Sequence, residues 1–236
     1  MTDFNWEEAK ESLKHVFWIG GTAGGGKTTI SKRIAEEFDI VRYDGDTHVG
    51  EHQTAATDKE CPTFCKIRSI GGFSSYFRWL LVQKPEKMAE VLLDHYRDDV
   101  LMTANDLLDT PPDKPIIVDL AFGYPIRRLC QLADKDKMIF LVATDQYREH
   151  VFENRGNNRR LTEYLEGYAN PERIVSSGFV EGIRLLTEFT HRECEKHNLP
   201  VLVTGGHMTV DETYEAVYRH FGFSKPDATS AGRPPD

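Results

Sequence analysis

Apolar and polar positions fall into blocks of two periods along the chain. Val16-Phe17-Trp18-Ile19 is a short continuous apolar run, suited to a strand covered on both faces. Ile30, Ile34 and Phe38 then recur at helical spacing. Ile40-Val41-Arg42-Tyr43 reads as a second strand. Within residues 47–87 strand signals are weak, and Phe73, Phe77, Leu80 and Leu81 follow i, i+4, i+7 and i+8, the buried face of one helix. Apolar positions 88, 91, 92, 100, 101, 107 and 108 predict a long helix from Met88 to Leu108, which the proline pair at 111 and 112 ends. Pro115 to Asp119, Met138 to Val142 and Pro200 to Thr204 read as three further strands. Phe179, Ile183, Leu186 and Cys194 mark another helix. Val210, Tyr214, Val217 and Phe221 give a last helix its stripe, opened by a capping box from Thr209 to Glu212. Strands alternating with helices predict an α/β fold. Residues 1 to 14 carry a short helical pattern around Trp6, and residues 224–236 are too polar to pack and are expected to be mobile.

Composition narrows the partners. With 38 acidic against 29 basic residues and a formal charge of -9, a broad electrostatic grip on nucleic acid is disfavoured, and a small-molecule partner is expected. The four cysteines, at 61, 65, 130 and 194, are too sparse for a disulfide-stapled secreted domain and are read as thiols. Cys61 and Cys65 could form half a metal site with His48 or His52, but C-x-x-x-C spacing is unspecific and ordinary cysteines are the preferred reading. Nothing at the N-terminus resembles a signal peptide, and no apolar run approaches the ~20 residues of a membrane span. The expectation is a soluble cytoplasmic protein of undetermined oligomeric state.

The chemistry concentrates between the first strand and first amphipathic helix. Gly21, Gly26, Lys27 and Thr28 satisfy G-x-x-x-x-G-K-[ST]: glycines let backbone N–H groups wrap phosphate, the lysine reaches the β/γ-phosphates, and the hydroxyl coordinates Mg²⁺. Asp44-Gly45-Asp46 follows the second strand. Read as extended chain it turns both carboxylates toward one cleft, although the tripeptide also makes an ordinary polar turn. Asp119 ends a hydrophobic strand as the metal-orienting aspartate of a nucleotide site does. Residues 47–87, with Lys66, Arg68, Arg78, Lys84 and the aromatics Tyr76, Phe77 and Trp79, are read as an acceptor-binding insertion in which cations hold an anion and rings hold an apolar body. Arg148, Arg155, Arg159 and Arg160, around Gly156-Asn157-Asn158, form a basic segment able to close over a transferred phosphate.

The stretch GGTAGGGKTT looks like the Walker A loop of the small P-loop kinases of metabolites, such as shikimate, gluconate and adenylylsulfate kinases and chloramphenicol phosphotransferase. YDGDTHVGEH is similar to the stretch after the second strand in adenylylsulfate kinase. The resemblance implies a three-layer P-loop NTPase fold with a five-stranded parallel sheet of order 2-3-1-4-5, all within residues 1–223. It places the acceptor-binding insertion at 47–87 and an arginine lid at 148–173. It also implies an ATP- and Mg²⁺-dependent kinase. Gly21, Gly24, Gly25, Gly26, Lys27, Thr28, Thr29 and Gly205 would hold the nucleotide, and Thr28, Asp44 and Asp119 the metal. By the same resemblance Asp46 would face the acceptor's hydroxyl, with Lys27, Asp46, Arg155, Arg159 and Arg160 acting on the transferred group; His48, Arg68 and Arg78 are read as acceptor-binding from their residue types and position alone. A nucleoside monophosphate or nucleic-acid-end kinase, and a non-catalytic nucleotide switch, are the alternatives.

Overall fold

The computed structural model describes residues 4–111, 113–120, 125–154 and 156–224, and in the helix after Gly156 the side chains of residues 157 and 158 lie outside the description. The chain runs through α1 (Trp6–Ser12), β1 (Val16–Gly21), α2 (Lys27–Phe38), β2 (Val41–Asp44), α3 (Gly45–Ala55), α4 (Pro62–Ser69), α5 (Gly72–Leu81) and α6 (Pro85–Asp109). It continues through β3 (Ile116–Asp119), α7 (Ile126–Leu132), β4 (Met138–Ala143), α8 (Asp145–Asn154), α9 (Asn157–Glu163) and α10 (Pro171–Ile174). A π-helical turn at Val175–Val180 leads into α11 (Glu181–Lys196), β5 (Val201–Thr204) and α12 (Val210–His220).

All strand pairs are parallel and the order is β2-β3-β1-β4-β5. The three central strands are buried along their whole length, whereas the edges expose Val41 and Val203. That is why the central strands read as unbroken apolar runs: helices cover both of their faces. Alternation within β1 divides the core. Val16 and Trp18 join the layer packed by α1, α4 to α7 and α11. Phe17 and Ile19 join Ile30, Ile34, Tyr214, Val217 and Phe221 of α2 and α12.

Two sequence expectations change at the site. β2 runs on to Asp44, and Gly45 already begins α3, so Asp46 stands in the first turn of a helix rather than on extended chain beside Asp44. The turn is helical because Thr47 returns its hydroxyl to the Asp44 carbonyl (2.8 Å), and a carboxylate in a first turn is favoured by the helix dipole. Residues 47–87, where strand signals are weak, hold the rest of α3, all of α4 and α5 and the start of α6, and the helix face read at Phe73 to Leu81 is α5. The start of α4 is capped from a distance: the Asp98 carboxylate on α6 accepts from the N–H groups of Thr63 (2.7 Å) and Phe64 (3.1 Å). In α5 the buried face is Tyr76, Leu80 and Leu81, while Phe73 remains 43% exposed, stacked on Phe77 and tilted against Tyr76. The long helix starts three residues before Met88, with Pro85 at its first position, where a missing N–H costs no hydrogen bond.

Candidate active site

The loop between β1 and α2 is stitched to the end of β4. The Thr22 N–H donates to the Leu141 carbonyl (2.9 Å), and the Thr22 hydroxyl accepts from the Ala143 N–H (2.9 Å). Gly21 has φ 126°, and a Cβ there would lie 2.0 Å from the Leu141 oxygen, so the contact requires glycine on both counts. Gly26, at φ 87°, caps α2 without a side chain, and the first turn of α2 carries no acid. Its orphan N–H groups are therefore left for an anion. Lys27 is buried and its ammonium donates to the Thr22 carbonyl (2.8 Å), lying back along the loop it closes. Thr28 and Thr29, next on α2, are exposed.

Beside the loop, Asp44 and Asp119 are paired in register on β2 and β3. The Arg42 guanidinium joins them, donating to Asp119 at 2.5 Å and to Asp44 at 2.9 Å, while its Nε donates to the Ser31 hydroxyl at 2.9 Å. Ser31 in turn donates to Asp119 at 3.3 Å. Burial opposes the charge on Arg42, but the two carboxylates outweigh it and hold the guanidinium above its ordinary range. In sequence Arg42 reads only as a residue of the second strand. The available signal was its position two residues before Asp44, on the same face of the strand.

Asp46 is exposed on the first turn of α3, yet the protein crowded about its carboxyl pushes it above the ordinary range; the Lys27 ammonium opposes the shift, and Asp119 and Asp44 add to it. Behind it lies a polar cluster that sequence alone did not reveal. Tyr43 donates to Asp106 (2.6 Å), and His52, 2% exposed, bridges Asp99 (2.7 Å from Nδ1) and Asp106 (3.0 Å from Nε2). Burial lowers the His52 pKa, yet the hydrogen bonds and charges of the two aspartates overcome it and leave it raised. His48 stacks on Tyr43 with ring centroids 4.4 Å apart. The cysteines are not part of a metal cluster: Cys61 and Cys65 face the carbonyls of Asp98 and Ala56. Among the described residues no group of three or more His, Cys, Asp or Glu is arranged to hold an ion.

The arginines divide. Arg68 is spent on the carbonyls of Gln53, Thr54 and Ala56 at the end of α3, at 2.9–3.2 Å. Arg78 donates to the Glu166 carbonyl (3.0 Å) and lies over the Tyr168 ring. Arg159 and Arg160 are exposed on α9, and Arg155 lies outside the described residues. Arg148 is buried beneath the loop, bonded to Thr187 (3.1 Å) and Asp145, and its Cα would sit 3.6 Å from a Cβ on Gly24.

On the opposite side of the loop from these carboxylates is a cavity of about 290 Å³, walled by Gly24 to Gly26, by Tyr147 and Val151 of α8, and by Gly205, Met208 and Val210. Gly205, at φ 77°, presses on Tyr147: a Cβ would meet the ring at 2.0 Å. The strand order and the glycine loop between β1 and α2 settle the architecture. It is the three-layer P-loop NTPase fold.

No protein-family model and no curated protein matches the chain. Among solved structures it is similar to a shikimate kinase from Acinetobacter baumannii in complex with shikimate, at 17% identity over 90% of this chain and 93% of the other, TM-score 0.43. A deoxyadenosine kinase from M. mycoides with bound dATP is similar at 13% identity over 88% and 99%, TM-score 0.46. A shikimate kinase from Aquifex aeolicus follows at 18% over 81% and 99%, TM-score 0.30. With TM-scores under 0.5 these likenesses bear no weight of their own, and the fold stands on this chain's topology and loop.

Proposed function

We propose that the chain is an ATP- and Mg²⁺-dependent kinase that places the γ-phosphate on a hydroxyl of a small-molecule acceptor. The observation that carries this reading is the place of Asp46, in the first turn of α3 directly after β2 and close enough to the phosphate-loop lysine for that charge to act on it, with its pKa raised. Phosphoryl transfer to an alcohol is helped by a group that takes the hydroxyl proton, and a carboxylate whose pKa has moved toward neutrality is a stronger base than a free one. In this reading Gly21, Gly24, Gly25 and Gly26 cradle phosphates with backbone N–H groups, and Lys27 leaves the Thr22 carbonyl for the β/γ-oxygens. Thr29 and Gly205 border the cavity that takes the base. Arg159 and Arg160, exposed on α9, bring charge to the transferred group when that segment closes.

The residues present fit Mg²⁺ of the kind held by substrate phosphates. Such an ion keeps several waters and needs one or two protein groups rather than a full cage. Thr28 offers a hydroxyl at the helix start, and Asp44 and Asp119 face each other at the strand ends, already part-neutralised by Arg42. Bound there, the ion would supply charge stabilisation and in-line alignment of the phosphates.

The acceptor side is acidic. Asp46, Asp106, Glu51 and His48 are at hand, while Arg68 and Arg78, the cations an anionic acceptor would need, are engaged elsewhere. This supports a neutral or cationic acceptor, such as a sugar or an amino alcohol. The test is ADP formation from ATP and Mg²⁺ across matched panels of sugars, amino alcohols, nucleosides and nucleoside monophosphates. Turnover with the neutral and cationic panels is expected. Turnover confined to monophosphates would move the assignment to a nucleoside monophosphate kinase, and acceptor-independent hydrolysis alone would leave a nucleotide switch.

A further inference from the structure

A second cavity, of about 260 Å³, opens between α4, α5 and α6 and shares no wall residue with the cavity beside the phosphate loop. Its walls combine three kinds of group. Ile67 and Val91 are apolar and buried, and Trp79 presents an aromatic face with the Lys66 ammonium 5.6 Å from the ring centroid. Lys66, Lys87 and Arg97 bring three positive charges against one acid, Asp94. Asp94 is occupied by Arg97 at 3.2 Å and Lys87 by Glu90 at 2.9 Å, whereas Lys66 has no carboxylate within ion-pair distance among the described residues. The third kind is Tyr76, whose ring adds a second aromatic wall; its hydroxyl is sealed from solvent and does not open into the cavity.

We propose that this cavity binds a small aromatic anion, a single ring bearing a carboxylate or phosphate. The ring fits against Trp79 and the apolar wall, and the anion meets Lys66. A volume of about 260 Å³ suits one ring with its substituents.

The test titrates the full chain, without ATP, with phenyl phosphate and 4-hydroxybenzoate, and with 4-hydroxybenzamide as the uncharged counterpart. Calorimetry and tryptophan fluorescence are the readouts. Saturable binding of at least one anion is expected, tighter than the amide by about tenfold, the measure of one charge-assisted contact. Lys66→Gln should weaken it about tenfold with an unchanged Tm, Trp79→Leu should weaken it in a folded protein by calorimetry, and Lys27→Ala should bind as the parent chain does. No saturable binding overturns the proposal, as does equal binding of the amide or indifference to both Lys66→Gln and Trp79→Leu. Loss of binding in Lys27→Ala would place the anion on the phosphate loop instead and overturn it too. Failure of this titration leaves the kinase reading standing, since neither ATP nor an acceptor takes part.

Discussion

The phosphate loop and the acceptor side of the same cleft are built in opposite ways. From Gly21 to Thr28 the conformation is written into neighbouring residues: glycines take the turn, Lys27 folds onto Thr22, and the long-range ties run from the N–H and hydroxyl of Thr22 to the backbone at the end of β4. Across the cleft, Tyr43 meets Asp106 over 63 residues of chain, and His52 meets Asp99 over 47. The first device survives the loss of a side chain, because its frame is backbone. In the second each group is the partner that satisfies another, so removing one strands its neighbours in a buried place.

Substitutions break this comparison in order of size. Lys27→Ala should lower phosphoryl transfer by about 10³-fold or more while the unfolding midpoint stays within a degree or two, because the ammonium serves charge that arrives with the nucleotide. Steady-state kinetics beside circular dichroism melts would check both halves of that statement; a collapse in Tm would mean the loop depends on side chains after all. Asp46→Asn should lower kcat by about 10²–10⁴-fold with little change in ATP affinity. Because burial raises the Asp46 pKa, kcat should fall as pH drops through a value above 3.8, and the Asn variant should lose that acid limb. The same shift has the opposite sign for stability. A carboxyl raised on folding costs stability as pH rises above its ordinary value, so Asp46→Asn should melt higher than the parent near neutrality.

His52→Ala tests the acceptor side itself. It leaves Asp99 buried without the imidazole, a loss of about 3–5 kcal/mol for a broken buried pair, measurable by urea unfolding. The folded pKa of His52 is raised, so its contribution should be complete below pH 6.5 and disappear as pH rises through the folded value. A parent chain whose stability is flat across that window would remove the charged-imidazole account. The smallest effect sharpens the loop side: Gly205→Ala forces a Cβ into the Tyr147 ring at a positive φ. It should cost about 1–2 kcal/mol of stability and weaken ATP more than any acceptor.

What was legible in sequence follows the same division. All five strands, the glycine loop and the capping box at Thr209 were readable, because each is specified by period or by a few consecutive residues. Of the helices between 47 and 87 only α5 was readable, from Phe77, Leu80 and Leu81; α3 and α4 were not, since α4 is capped by Asp98 from α6 rather than by its own residues. Asp99 and Asp106 passed as ordinary polar positions of a long helix. Only the fold shows that they turn inward to His52. Arg68 illustrates the reverse error of attention: a cation that looked free for a ligand is consumed by the carbonyls that end α3.

Arg42 turns the strand-end carboxylates into something like an ion-exchange bed with one cation covalently fixed to it. Arg42 is two residues from Asp44 and 15% exposed, and Asp119 is 4% exposed, so added salt screens the contact little and cannot wash the guanidinium away. Mobile counter-ions compete for whatever negative charge the fixed one leaves over. The site therefore has a floor of neutralisation independent of the medium, and ionic strength acts on the cleft through the ligands that come and go rather than through the wall that receives them.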